Sequence, residues 1–314
     1  MQAVIVAGGK GTRLRPLTHR TPKPMMPLFE RPFLAFLIER CRQAGITDII
    51  LNVHYEARQI QDYFADGSDW GVRLRYSVEE VPLDTCGAVK LGEPYFSGAP
   101  LLIFNADILT DLDLGTLIDF HRHSGAIGTI ALARVADPTA FGLVELDGAG
   151  RILSFREKPT AEQAQAWGID TINAGTYVLE PEAFQHVPSA VPWSFERQLF
   201  PALVASAEGM AGFVSEGYWL DIGNPQKYWQ AHLDVLKGLM PFDLSAQKIA
   251  PGVWVHPEAT LDPAAQLTAP CYIGARCRLG AKAQIGSGAI LAEDSLVDGV
   301  LPGGVYPPGT MILT

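Results

Sequence analysis

The amino-acid sequence predicts an α/β protein in which a mainly parallel sheet, flanked by helices, precedes a short parallel β-helix. Three observations support this prediction. Apolar runs alternate with stretches of helical spacing, a glycine-rich turn follows the first apolar run, and aliphatic residues recur every six positions in the last quarter of the chain. The pattern divides the chain into a larger domain over residues 1–237, a linker over 238–252 and a β-helix domain over 253–314.

The first predicted strand is the apolar run from Val4 to Ala7, which is followed at once by Gly8, Gly9 and Gly11. Glycine adopts positive φ at little cost and lets the backbone approach a ligand closely. Successive N–H groups in such a turn can form a concave anion-binding surface. The turn therefore predicts an anion site at the end of the first strand.

Basic residues are concentrated just after this turn. Five cations fall within the first 29 residues, and the first acidic residue is Glu30. The whole chain has a formal net charge of −10, so the local excess opposes the global balance. Such a reversal indicates a site for a polyanion. The five cations are Lys10, Arg13, Arg15, Arg20 and Lys23.

The turn matches neither of two common glycine motifs. A Walker loop requires Gly-Lys-Ser/Thr in succession, whereas Gly11 follows Lys10. The dinucleotide fingerprint requires a third glycine three residues after the second, and Leu14 occupies that position. The anion site is therefore expected to be of another type.

Composition limits the class of protein. Of the 314 residues, 48% are apolar and 18% are charged, as in ordinary globular proteins. The sequence has no apolar stretch of about 18 residues, and its start enters a strand without the charged segment of a secretory signal. The acidic balance disfavours nucleic-acid binding. We therefore expect a cytoplasmic protein with neither a membrane nor a nucleic-acid partner.

The cysteines indicate neither a zinc site nor a disulfide framework, because none of them has CxxC spacing. Reduced thiols in a cytoplasm are the simplest account. The four are Cys41, Cys86, Cys271 and Cys277.

Strands and helices alternate in the first third of the chain. The pattern predicts helices over 33–41 and 56–64, and strands over 46–53, 72–78 and 101–104. This alternation implies right-handed βαβ units and a Rossmann-like, largely parallel sheet. Ligands of such sheets bind beyond the carboxyl ends of the strands, where Gly8 and Asp107 are both expected to lie.

The pattern changes in the middle of the chain. A hairpin is predicted over 141–155 and a strand over 172–179. A helix capped by Ser194 is predicted as far as Ala205. A strand over 218–223 is followed by a helix that Pro225 opens.

The last part of the chain carries a six-residue repeat. Aliphatic residues recur at this interval without exception, and a small residue stands four positions after each of the first seven. This spacing resembles the left-handed parallel β-helix, in which aliphatic side chains stack inward. Roughly two and a half coils fit, with Cys271 and Cys277 as structural thiols in small core positions. The aliphatic series is Val255, Leu261, Leu267, Ile273, Leu279, Ile285, Leu291 and Val297.

The N-terminal motif also carries a family resemblance. The run GGKGTRLRPLT followed by PKPMMPL resembles the signature of the sugar-phosphate nucleotidylyltransferases, the nucleotide-sugar pyrophosphorylases. The resemblance covers residues 1–237, which it identifies as the catalytic domain. It implies transfer of a nucleotidyl group from an NTP to a sugar 1-phosphate, with Mg²⁺ and release of pyrophosphate. The sugar phosphate is already anionic, so the reaction needs charge neutralisation and in-line alignment rather than a general base.

The resemblance assigns four catalytic residues. Arg13 matches the arginine that grips the β- and γ-phosphates, and Lys23 matches the lysine that contacts the α-phosphate. Asp107, in Asn-Ala-Asp where the family usually has Asn-Gly-Asp, and Asp221, in Trp-Leu-Asp-Ile-Gly, resemble the two metal ligands.

The resemblance also assigns residues to the two substrates. Lys158 is expected to hold the sugar phosphate, and Glu157, Asn173 and the backbone of Gly142 to contact sugar hydroxyls. The expected nucleotide-binding residues are Ala7, Gly8, Gly9, Gly11, Thr12, Glu79, Pro82, Thr85 and Gly87.

Glu79 bears on the choice of base. Uridylyl- and thymidylyltransferases of the family tend to have glutamine there, and a carboxylate suits the two adjacent donors of guanine. This favours GTP with mannose 1-phosphate, giving GDP-mannose. The alternative interpretation is that Glu79 and Glu80 are merely exposed acidic residues. Asp84 and Cys86 depart from the family's usual Leu-Gly-Thr-Ala-Gly.

The sequence is also compatible with other functions. Glucose 1-phosphate with UTP or dTTP is the second substrate pair. A regulatory relative that binds nucleotide sugars without turnover is a different class, disfavoured by the retained catalytic residues. Acyltransferase activity on the β-helix is disfavoured because the short repeat has no obvious catalytic histidine inside its coils, and His256 stands beside the first rung. The β-helix is expected instead to join subunits of a homo-oligomer.

Overall fold

The computed structural model describes residues 1–157 and 159–313, and the chain forms two compact units. The first unit comprises Met1–Met26 and Phe33–Trp219, and the second comprises Pro27–Pro32 and the chain from Leu220 onward. Within the described residues, no helix combines the length and the apolar character needed to cross a bilayer.

A nine-stranded sheet forms the centre of the first unit. The strands are β1 Gln2–Val6, β2 Asp48–Val53, β3 Arg73–Val78, β4 Leu101–Asn105, β5 Gly128–Arg134, β6 Gly142–Leu146, β7 Ile152–Glu157, β8 Thr171–Leu179 and β9 Met210–Ser215. Their order in the sheet is β7-β6-β8-β4-β1-β2-β3, and β5 pairs with β8 and with β9.

The direction of pairing changes across this sheet. Strand β1 runs parallel to β2 and β4, and β2 runs parallel to β3, as the alternation of strands and helices predicts. Strand β8 is antiparallel to β4, β5 and β6, and β6 and β7 form the predicted antiparallel hairpin. The α/β fold class is therefore confirmed, with a sheet that is parallel in its N-terminal half and mixed beyond β4.

Helices cover this sheet. The predicted helix after Ser194 begins with a π-helical turn, Phe195–Leu199, and Ser194 caps it by accepting hydrogen bonds from two backbone N–H groups. The helices of the first unit are α1 Phe33–Gln43, α2 Ala57–Phe64, α3 Asp84–Leu91, α4 Leu114–Ser124, α5 Ala161–Trp167 and α6 Phe200–Val204. Short strands lie at Ile108–Thr110 and Trp219–Asp221, and 3₁₀ turns at Thr12–Leu14, Lys23–Met25, Ser68–Trp70, Glu93–Tyr95 and Pro181–Phe184.

The second unit contains helix α7 Pro225–Leu236 and the β-helix. Asn224 caps α7 through the Lys227 N–H, and Pro225 occupies its first turn as predicted. Part of the predicted linker, Gln247–Ala250, is itself a strand that pairs with the first rung.

Three parallel sheets form the faces of the β-helix. Val253 pairs with Cys271, and Cys271 pairs with Ala289, so one coil takes 18 residues, or three of the predicted six-residue repeats. The last coil is shorter, because Ala289 pairs with Gly304, 15 positions on. The faces are Val253–Val255, Cys271–Ile273, Ala289–Leu291 and Gly304–Tyr306; Thr260–Leu261, Arg278–Leu279, Leu296–Asp298 and Met311–Leu313; and Gln266–Leu267, Gln284–Ile285 and Val300–Leu301.

The segment Pro27–Pro32, which follows the N-terminal motif in sequence, is built into this second unit. It forms a hairpin of Pro27–Leu28 and Arg31–Pro32, with Phe29 in the left-handed region at φ 60°. The Phe29 ring packs edge-on against His232 at 4.9 Å and Tyr272 at 4.8 Å between ring centroids.

His232 is buried as a neutral imidazole. Its Nδ1 lies 2.9 Å from the carbonyl oxygen of Tyr228, and its Nε2 lies 3.3 Å from the backbone nitrogen of Phe29. Because Nδ1–H donates to the carbonyl and Nε2 accepts from the amide, a second proton on Nε2 would face an N–H donor. Burial lowers the pKa of His232 from 6.5 to about 4.

This histidine predicts an acid-labile fold. Between pH 6.5 and pH 4, His232 is protonated in the unfolded chain but not in the folded chain. The free energy of unfolding therefore falls as the pH drops from 6.5 to 4. The loss is about 3 kcal/mol in the free energy of unfolding. Urea unfolding at several pH values should show a shallower pH dependence for His232→Gln than for wild type. His123→Gln, at an exposed histidine, is the control. Equal slopes in all three proteins would contradict the assignment.

Candidate functional site

A cleft of about 220 Å³ opens at the carboxyl ends of β1 and β4 in the first unit. This is the edge at which ligands of open α/β sheets bind. Five of the residues predicted for the site line it, together with four that were not assigned. The lining residues are Val6, Ala7, Gly9, Lys23, Pro24, Thr85, Asn105, Ala106 and Asp107.

The glycine turn forms one wall of the cleft, and its glycines differ in role. A Cβ on Gly8 would lie 2.6 Å from Oε1 of Glu79 and 3.2 Å from Cβ of His54, so a side chain here would require both neighbours to shift. A Cβ on Gly9 would meet none of the described atoms within 4 Å. Gly9 therefore presents bare backbone to the cleft, where a ligand can approach closely.

The basic loop that follows is closed on itself. Gly11 has φ 57°, and its carbonyl accepts a hydrogen bond from Oγ1 of Thr18 at 2.7 Å. Thr12 and Arg13 are exposed on this loop and lie outside the set of residues that line the cleft. Arg13 is therefore close in sequence to residues that line the cleft, but its side chain is exposed to solvent.

Lys23 and Asp107 form an ion pair inside the cleft. Nζ of Lys23 lies 2.5 Å from Oδ2 of Asp107, and the two side chains are 13% and 29% exposed. Lys23 begins a 3₁₀ turn, and Asp107 stands two residues after the end of β4. The intervening Ala106 N–H donates to the carbonyl of Val6 at 3.2 Å. The two residues, 84 positions apart in sequence, are thus held together at the end of the sheet.

The cleft fits a hard divalent cation. Mg²⁺ is usually held by one or two carboxylates plus substrate phosphates and water, rather than by a cage of protein ligands. Asp107 is the acidic residue among those that line the cleft. Within residues 1–157 and 159–313, no group of three or more His, Cys, Asp or Glu side chains could hold a metal on its own. Asp221, the second predicted ligand, ends the strand Trp219–Asp221 and belongs to the second unit.

Glu79 lies behind the glycine turn. It is only 6% exposed, and its Oε2 accepts a hydrogen bond from the Leu83 N–H at 2.8 Å. Burial raises the pKa of its carboxyl, an effect that the hydrogen bond from Leu83 opposes. Oε2 of Glu79 therefore anchors the loop that leads to Leu83, and Oε1 faces Gly8. Pro82, predicted to contact the nucleotide, is exposed on that loop.

Gly87 is explained by packing within the protein. A Cβ there would lie 2.6 Å from the carbonyl oxygen of Val191. The N–H groups of Cys86 and Gly87 both donate to the carbonyl of Trp193 at 2.9 Å, and the Trp193 N–H donates back to Leu83 at 2.9 Å. The predicted base-binding segment is thus joined to the chain just before the π-helix.

Asp84 starts α3 in a left-handed conformation, with φ 62°. Glycine adopts this region freely, whereas a non-glycine residue there costs about 1 kcal/mol. Oδ1 of Asp84 accepts from the Thr85 N–H at 2.8 Å, and Oδ2 forms an ion pair with Nη2 of Arg197. An exposed ion pair is worth about 0.2–1 kcal/mol, so the arrangement does not raise stability appreciably.

The residues predicted for the sugar lie on β6, β7 and β8. Gly142 pairs with Glu157 at the end of the hairpin. Lys158 lies outside the described residues. The amide of Asn173 donates to the hydroxyl of Tyr177 at 3.0 Å, and its Oδ1 accepts from the Gly175 N–H at 2.9 Å.

Tyr177 connects this region to the cleft. Nδ2 of Asn105, which lines the cleft, donates to the same hydroxyl at 3.4 Å. Tyr177 is fully buried, and burial raises the pKa of its phenol well above the usual value. Sequence reasoning missed Tyr177 and Asn105, although Asn105 stands two residues before the predicted metal ligand.

The fold and the cleft together define an α/β protein whose sheet edge carries a cleft lined by bare glycine backbone, a lysine and a carboxylate. The sequence profile described as nucleotidyl transferase matches residues 2–238, and the chain belongs to this family.

Named relatives agree with this membership. The chain is 39% identical over 242 residues to mannose-1-phosphate guanylyltransferase from Mycobacterium tuberculosis, covering 77% of this chain and 66% of the relative. It is 37% identical over 271 residues to UTP–glucose-1-phosphate uridylyltransferase from Synechocystis, covering 82% and 68%. The chain thus spans about two thirds of the length of these relatives.

A solved structure shares the fold. The crystal structure of a putative glucose-1-phosphate thymidylyltransferase from Bacillus anthracis, in complex with sucrose, superposes with a TM-score of 0.68 at 21% identity. The match covers 78% of this chain and 98% of that one.

Proposed function

We propose that this protein transfers a guanylyl group from GTP to mannose 1-phosphate, giving GDP-mannose and pyrophosphate, with Mg²⁺ as the cation. The observation that carries the proposal is the Lys23–Asp107 pair beside the bare backbone of Gly9 in one cleft. This set combines a cation for phosphate, a hard oxygen ligand for a metal, and N–H groups that a phosphate can reach.

This reaction requires the protein to neutralise the charge of two phosphates and to align them. An oxygen of mannose 1-phosphate attacks the α-phosphorus of GTP, the bond between the α-phosphorus and the bridging oxygen breaks, and pyrophosphate leaves. Lys23 stabilises the charge that develops on the α-phosphate. Arg13, on the exposed loop, is the proposed contact for the β- and γ-phosphates. A bound Mg²⁺ would supply Lewis-acid stabilisation of the leaving group, with Asp107 as its proposed ligand in the cleft.

The choice of GTP and mannose 1-phosphate is supported by the mannose-1-phosphate guanylyltransferase relative at 39% identity. Glu79 gives weaker support to the choice of GTP, because one of its carboxylate oxygens already accepts a hydrogen bond from the Leu83 N–H. The Synechocystis relative, at 37% identity, favours UTP with glucose 1-phosphate as the second candidate.

Position-specific labels test the reaction type. With mannose 1-phosphate and Mg²⁺, the label of [α-³²P]GTP should appear in a nucleotide sugar, and the label of [γ-³²P]GTP in pyrophosphate. Reactions without mannose 1-phosphate are the control and should give neither product. Release of the γ-label as inorganic phosphate would contradict nucleotidyl transfer.

Gly9 provides a test of the close backbone approach. Because Gly9 has negative φ and open space at its Cβ position, Gly9→Ala should fold as stably as wild type. The added methyl would stand where the phosphates approach, so we expect KM for GTP to rise about tenfold. Gly148→Ala, at an equally open position on the hairpin turn, should leave both KM and Tm unchanged. An unaltered KM in Gly9→Ala would contradict the proposed phosphate position.

We also propose a catalytic domain over residues 1–237, a linker over 238–252 and an assembly role for the β-helix domain over 253–314. The family match ending at residue 238 supports the first boundary. Val300, Met311 and Leu313 are each more than 60% exposed on the last coils, which supports assembly of a homo-oligomer through this domain. A monomeric mass by light scattering at micromolar concentration would contradict the assembly. Four buried free thiols are in keeping with a cytoplasmic location.

A further inference from the structure

The wall of the cleft at Thr85 is held by the π-helix Phe195–Leu199. Oγ1 of Thr85 accepts from the Phe195 N–H at 3.0 Å and donates to Oε2 of Glu196 at 3.2 Å. The Thr85 N–H is taken by Asp84 at 2.8 Å. Thr85 therefore lines the cleft with its polar groups engaged inside the protein, and its position depends on its neighbours. Single π-helical turns of this kind are frequent at functional sites.

Asp84 brings a negative charge next to this wall. Its side chain is 29% exposed, and the residue beside it in sequence lines a cleft that is proposed to receive a triphosphate. Lys23, the cation inside the cleft, is already paired with Asp107. An uncompensated carboxylate at this point would repel an anionic ligand, and Arg197 is the cation that neutralises it.

We propose that Arg197 is a positioning residue for the nucleotide: by pairing with Asp84 it neutralises the carboxylate at the margin of the cleft and holds the Asp84–Thr85 turn in its left-handed conformation. This inference rests on the proposed nucleotide site. It accounts for an aspartate at this left-handed position, because Asp84 and Arg197 then act as a matched pair.

Calorimetric titration of the full-length protein with GTP tests the inference without requiring turnover. Arg197→Gln should raise the Kd for GTP about fivefold, since it leaves Asp84 uncompensated, and the effect should shrink at high salt. Asp84→Asn keeps an acceptor for the Thr85 N–H and tolerates the left-handed conformation. The double variant Asp84→Asn/Arg197→Gln should therefore return to within about twofold of wild type.

A matched control separates this effect from a general loss of surface charge. Arg122, on α4, is 64% exposed and ion-paired to Asp119, as exposed as Arg197 in its own pair. Arg122→Gln should leave the Kd for GTP unchanged, and thermal unfolding should show equal Tm values for all variants. A merely structural role of Arg197 would lower Tm and leave the double variant as weak as the single one.

Two results would overturn the inference: an unchanged Kd in Arg197→Gln, or a double variant that binds no better than Arg197→Gln. Failure of the proposed function would look different, because wild type would then release no pyrophosphate from GTP and mannose 1-phosphate. If wild type binds UTP or dTTP more tightly than GTP, the same variants are compared with that nucleotide.

Discussion

Replacing Lys23 with alanine is expected to lower kcat for pyrophosphate release by at least about 100-fold. The Lys23 side chain is 13% exposed, and its ammonium lies inside the cleft, 2.5 Å from Oδ2 of Asp107. Its loss removes the cation proposed for the α-phosphate and leaves the Asp107 carboxylate without its partner beside the incoming phosphates. Both changes raise the energy of a transition state in which charge develops on those phosphates. Steady-state kinetics at saturating GTP and mannose 1-phosphate measure the effect.

Lys10 is the matched control for Lys23. It belongs to the same basic loop and carries the same charge, but it is exposed and lies outside the set of residues lining the cleft. Lys10→Ala should keep kcat within about threefold of wild type, as expected for a screened surface charge. Turnover in Lys23→Ala close to that of Lys10→Ala would show that Lys23 does not act on the reacting phosphates.

Replacing Asp107 with asparagine is expected to lower kcat by about 100- to 1000-fold. The amide keeps the shape of the side chain but loses the charge, so it binds a divalent cation weakly and no longer pairs with the Lys23 ammonium. The Mg²⁺ concentration needed for half-maximal activity should rise as well. A titration of activity with Mg²⁺ distinguishes this from simple loss of the ion pair, which would lower kcat without changing the Mg²⁺ requirement.

Asp119 serves as the control for this charge change. Its carboxylate is 65% exposed on α4, where it pairs with Arg122. Asp119→Asn should be indistinguishable from wild type in kcat and in Mg²⁺ requirement. An Asp107→Asn variant with the same properties as Asp119→Asn would remove Asp107 from the proposed metal site.

The features that the sequence predicted best are those with a strict local or topological rule. The β-helix follows from a six-residue spacing that each rung repeats, and the structure confirms it from Val253 to Leu291. The shortened last coil was not predicted, because the aliphatic series ends at Val297. Gly8 and Asp107 were expected at one sheet edge, because parallel strands end together there.

Features that depend on distant packing left no local signal. The segment Pro27–Pro32 gave no sign of a distant partner, yet Phe29 packs against His232 and Tyr272, both more than 200 residues away. Helix α3 was missed because Asp84 and Gly87 resemble turn residues, and the fit of Gly87 against Val191 is a tertiary contact. Glu79 was predicted as a base contact, and its additional hydrogen bond to the Leu83 N–H could not be foreseen from spacing.

Initial rates of pyrophosphate release with Mg²⁺, across GTP, UTP, dTTP, ATP and CTP with mannose and glucose 1-phosphates, test the central claim most directly. The proposed function predicts the highest kcat/KM for GTP with mannose 1-phosphate. A preference for UTP or dTTP with glucose 1-phosphate would keep the reaction and the cleft but contradict the guanylyl assignment. Absence of pyrophosphate release in every combination would contradict the proposed nucleotidyl transfer and favour a relative that binds nucleotide sugars without turnover.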